Sequence, residues 1–84
     1  MNIIYFKDGT TALLSLLNFD LVYSDSAGNA RWKKFMFSDE LATKQFYSVI
    51  EILQKDDDSV VAKHILEDWL KLDLPDIVGF TKIG

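Results

Sequence analysis

The chain reads as an α+β domain, a small mostly antiparallel sheet against two amphipathic helices. Three observations carry this. Short β-rich runs lie at both ends, a hairpin pattern lies before the middle, and two stretches with helical periodicity follow it. The 84 residues make a single domain, residues 1–84.

"NIIYF" (2–6) is an apolar run of β-formers with polar flanks. It reads as a strand covered on both faces. Residues 10–17 are ambiguous. Asp8-Gly9 is a hairpin turn signal, which would make "TTALLSLL" a return strand. Ala and Leu form helices well, Thr10 or Thr11 could cap, and Leu13, Leu14, Leu16 and Leu17 fit one helical face. The composition favours a short N-terminal helix.

"FDLVYSDSAGNARWKKFMF" is a hairpin by pattern, two β-rich runs around the turn cluster "SDSAGN". Alternation puts Arg31, Lys33, Phe35 and Phe37 on one face and Trp32, Lys34 and Met36 on the other. "SDELATKQFYSVIEILQK" is a helix with the stripe Ala42, Phe46, Val49, Ile50, Leu53. Ser38 is its expected N-cap, and Glu40–Lys44 and Glu51–Lys55 are i, i+4 pairs. "DSVVAKHILEDWLKL" is a second helix, with Ala62, Ile65, Leu66, Trp69 and Leu70 inward and Lys63, Glu67 and Lys71 outward. Pro75 ends it by about Asp73. "DIVGFTKI" is a last strand, with Gly79 marking a bulge or a close approach.

Composition narrows the function. With no cysteine, disulfides, thiolate catalysis and cysteine-type zinc sites are excluded. "MNIIYFKDG" lacks the pattern of a secretory leader, and no apolar run approaches the ~20 residues of a membrane helix. A soluble, cytoplasmic protein is expected. At 49% hydrophobic residues the chain is apolar for its size, which predicts exposed apolar surface and a protein partner or self-association.

Charge is uneven. Residues 1–35 hold four cations against three acids, and residues 36–84 hold five lysines against ten acids, giving −4 in all. Duplex DNA, which demands a concentrated basic footprint, is a poor partner. The helix pair invites a helix-turn-helix reading, but its second helix would meet phosphate with Asp56, Asp57 and Asp58.

Those three aspartates first read as a solvated loop and a helix start, with Asp58 or Ser59 as cap. Calcium loops alternate their ligands around a glycine turn, which this run does not. No metal or other cofactor is expected. With Glu67, Asp68, Asp73 and Asp76, the aspartates could instead form a negative face that steers a basic partner. His64 and Asp68 are an i, i+4 pair lacking the further groups that a catalytic dyad or a zinc site needs. No Gly-rich phosphate loop, nucleophile elbow or H-E-x-x-H occurs, so no enzyme activity is expected. In "RWKKF", Arg31, Trp32, Lys33 and Lys34 fit a protein hot spot, a single-stranded RNA contact, or an edge strand blunted by lysines.

The make-up is tiny, acidic, aromatic-rich, cysteine-free and free of catalytic motifs. In type it resembles phage or mobile-element inhibitors of bacterial defence, such as anti-CRISPR proteins. The resemblance implies an inhibitor or regulator whose carboxylates occupy a basic, nucleic-acid-handling groove. It is a likeness of general make-up, with no motif matched residue by residue. A homodimeric structural or adaptor protein is the alternative, and a single-stranded RNA binder the third reading.

Overall fold

The computed structural model describes residues 1–72 and 74–83. The order is β1 (Asn2–Phe6), β2 (Thr11–Ser15), β3 (Asp20–Ser24), β4 (Ala30–Lys34), α1 (Glu40–Lys55), α2 (Val60–Leu70) and β5 (Ile77–Lys82). The five strands form one antiparallel sheet in the order β4-β3-β2-β1-β5. Both helices lie on one of its faces, and the α+β class stands.

Residues 10–17 contain no helix; they supply β2. Gly9 takes φ +89°, and Asp8 Oδ1 accepts from Thr10 N–H at 2.9 Å and from Thr10 Oγ1 at 2.6 Å. That closes a tight turn and returns the chain along β1 in the register Ile3↔Leu13, Tyr5↔Thr11. The leucine doublets fit either period, and the ladder decides between them. Ala12 and Leu14 are buried, while Leu13 points away from the core.

β1 is covered on one face only. Asn2, Ile4 and Phe6 are buried, whereas Tyr5 lies on the open side. Expectation failed there because a run of four apolar or aromatic residues, Ile3 to Phe6, reads the same whether one face or two are covered.

The core joins Ile4, Phe6, Ala12, Leu14, Leu21, Ile77 and Phe80 of the sheet to Phe46, Val49, Ile50, Leu53, Ala62, Leu66 and Leu70 of the helices. Each large apolar side chain so buried contributes about 1.5–3 kcal/mol. Phe46 is the hub at the β3–β4 side, its ring centroid 5.0 Å from Phe37 and 5.7 Å from Trp69.

The expected helices form with small corrections at their starts and on their wet sides. Asp39, not Ser38, caps α1, accepting from Ala42 N–H at 2.8 Å. Of the two caps expected for α2, Ser59 takes the role, accepting from Ala62 N–H at 3.3 Å. Glu51–Lys55 closes at 3.3 Å. Glu40–Lys44 is not among the ion pairs of the described residues. Glu67, expected on the wet side, is half-buried and accepts weakly from Ile77 N–H at 3.4 Å. Gly79 meets both expectations. The register shifts beside it, between Tyr5 and Phe6, and a Cβ at Gly79 would sit 3.3 Å from the Tyr5 ring.

Candidate functional site

The three aspartates form a corner between the helices. α1 ends as Asp56 N–H bonds Ile52 O at 2.8 Å, and Asp56 Oδ1 then accepts from Asp58 N–H at 3.1 Å. Ser59 starts α2 one residue later. This tight connection leaves Asp56, Asp57 and Asp58 exposed, with one carboxylate oxygen from each within 4.8 Å of the others. Among the described residues no cation pairs with any of them, and the neighbouring Lys55 is turned to Glu51. Three like charges so close make a concentrated negative point. Such oxygens could hold a hard cation, although exposed acids of this kind commonly hold none.

The other acids do not join this corner. Glu67 and Asp76 both line an open groove of about 260 Å³ on the flank of α2, together with Lys63, His64 and Val78. Glu67 lies eight positions past Ser59, about 12 Å along the helix. Asp68 is exposed and forms no ion pair with His64. Asp73 lies outside the described residues.

The hairpin cations are scattered. β4 is an edge strand. Arg31 Nε pairs with Asp25 Oδ2 at 2.9 Å, so its charge is spent on its own turn. Asp25 also accepts from Asn29 N–H at 2.9 Å and Ala27 N–H at 3.0 Å. These bonds, the one from Asn29 first, hold its carboxyl below the ordinary value. Lys33 faces the helix side and donates Nζ to Leu70 O. Only Lys34 shares the outer face with Trp32, which donates Nε1–H to Asp20 Oδ2 at 3.1 Å. Single-strand binding needs a cationic track beside the stacking ring; here it is divided between two faces.

Two features were missed in the sequence. One is the sheet's open face. Residues Trp32, Val22, Leu13, Ile3 and Thr81 stand in register across all five strands. The signal was the alternation in β2 and β3, once β2 is taken as a strand. The other is an open groove of about 560 Å³ between the helices, floored by Val49, Ile65 and Trp69 and rimmed by Leu41 and Lys44. Trp69, read as core, is half-buried there.

No family model, curated protein or solved structure matches the chain. Among the described residues no helix is long and apolar enough to cross a membrane.

Proposed function

We propose that this protein is a non-catalytic binding module, an inhibitor or regulator that docks on a basic, nucleic-acid-handling protein in the cytoplasm. The observation that carries this reading is the corner of Asp56, Asp57 and Asp58. Its carboxylates are exposed, close together and unpaired among the described residues. They sit on a short connection braced by two capped helices, so little ordering is lost when they meet a partner. A groove evolved for phosphates accepts carboxylates at similar spacing. The net charge of −4 steers such an encounter. The site is narrower than the seven acids of the sequence reading, because Glu67 faces the β5 backbone and Asp76 lies beside it.

The single-stranded RNA reading is weakened, since Arg31 and Lys33 are engaged elsewhere. Duplex DNA is disfavoured by the same aspartates at the start of α2.

The test takes a partner recovered from host lysate and follows its association rate over a salt series. The native chain should bind with a rate that falls steeply as salt rises. The variant carrying Asp56→Lys, Asp57→Lys and Asp58→Lys should bind about 100-fold more weakly, with the salt dependence flattened. Equal binding by the two chains would refute the reading.

A further inference from the structure

The open face of the sheet is the least charged surface the strands present. Their outward positions include only two charged residues, Asp20 and Lys34, which stand opposite each other in the β3–β4 ladder and cancel. The rest of this face is apolar or uncharged. Trp32 is 62% exposed, Val22 47% and Leu13 41%. Two copies of a chain with charge −4 repel through their acidic surfaces, whereas this face carries no net charge.

The row across the face also has ends of unequal size, with its largest residue at one edge and its smallest at the other. It runs from Trp32 on edge strand β4 through Val22, Leu13 and Ile3 to Thr81 on edge strand β5. Leu13 lies on β2, the central strand of the five. A two-fold axis parallel to the strands at Leu13 would lay one such sheet on another with the strand order reversed. Leu13 would meet Leu13, Val22 would meet Ile3, and Trp32 would meet Thr81. The largest residue would fall on the smallest. The other in-plane two-fold, perpendicular to the strands, would put Trp32 on Trp32 and Thr81 on Thr81, a clash at one edge and a void at the other.

We propose that the open face binds a second copy of this chain, forming a two-fold sheet-on-sheet dimer about Leu13. Neutral charge on an acidic molecule and a row whose two ends complement each other both favour this occupant. Face-to-face sheets pack about 10 Å apart with strands about 30° from parallel, which the sheet's twist accommodates. Five strands at about 4.8 Å spacing and about 16 Å of strand length offer about 400 Å² a side. That is small for an interface, so the dimer is weak and concentration-dependent. The proposal does not rest on the acidic corner, which lies off this face.

The test is sedimentation of the full chain from low-micromolar to near-millimolar concentration. The native chain should move from monomer to dimer, and Leu13→Glu should weaken association about tenfold or more by burying an unpaired charge. Trp32→Glu should do the same at an edge position, and serves if Leu13→Glu does not fold. Thr81→Trp should weaken the dimer by placing Trp on Trp. Adding Trp32→Thr to it should restore association, because the two ends are then exchanged and Trp again faces Thr. A native chain that stays monomeric throughout overturns the proposal. So does a dimer unaffected by both glutamate variants, or a double exchange that fails to restore what Thr81→Trp lost. Lysines at Asp56, Asp57 and Asp58 should leave the dimer intact, which separates this result from that of the proposed inhibitor site.

Discussion

Gln54 Nε2 donates to Asn2 Oδ1 at 3.0 Å, tying the last turn of α1 to the start of β1 across 52 residues of chain. Asn2 is a buried polar residue in the core, 1% exposed. Gln54→Ala leaves its amide oxygen without that donor in a dry site. The expected loss is about 1–3 kcal/mol in urea unfolding. Replacing both residues by leucine removes the unmet group and should cost less than Gln54→Ala alone.

Acid should act on this protein partly through its turns. Asp25 is held below the ordinary carboxyl value of 3.8, chiefly by the Asn29 N–H and then by Arg31. Asp8 is lowered by both Thr10 bonds. A carboxyl whose folded value is depressed adds stability above its unfolded value. That stability is lost as pH falls through the folded value. Thermal midpoints should therefore drop as pH falls below about 4. The fall should be shallower in Asp25→Asn and in Asp8→Asn, both of which start from a lower midpoint at pH 7. Parallel curves for all three chains would show that neither turn contributes.

These contacts show what could be read in advance. The stripes Phe46, Val49, Ile50, Leu53 and Ala62, Leu66, Leu70 were legible because helical period and burial coincide there. The β3–β4 hairpin was legible from its turn residues. β2 was not, since "ALLSLL" satisfies both periods and only pairing with β1 and β3 selects the strand. The three adjacent aspartates could not be far apart. Whether Glu67 and Asp76 joined them depended on how α2 lies against β5, a tertiary matter with no local signal. The open face was hidden for the same reason, because strand order decides which outward residues become neighbours.

Among the described residues two other than glycine take left-handed backbone, and they should respond oppositely to glycine. Lys71, φ 49°, ends α2, its N–H bonding Glu67 O at 3.0 Å. Its side chain is exposed, so a Cβ there brings strain with little packing in return. Lys71→Gly should stabilise by about 0.5–1 kcal/mol, since glycine adopts this helix end freely. Phe19, φ 52°, sits in the turn between β2 and β3. Its ring stands edge-on to Phe37 and to Tyr47, each at 5.7 Å, and 6.4 Å from Phe46. Its strain, of order 1–3 kcal/mol, persists because that packing holds it. Phe19→Gly relieves the strain but removes a partly buried aromatic ring, a loss of about 3–5 kcal/mol where the ring is fully buried. Net destabilisation of about 1–2 kcal/mol is expected for Phe19→Gly. Urea midpoints of the two variants should fall on opposite sides of the native chain. If both rise, the aromatic cluster around Phe46 contributes less than its geometry implies.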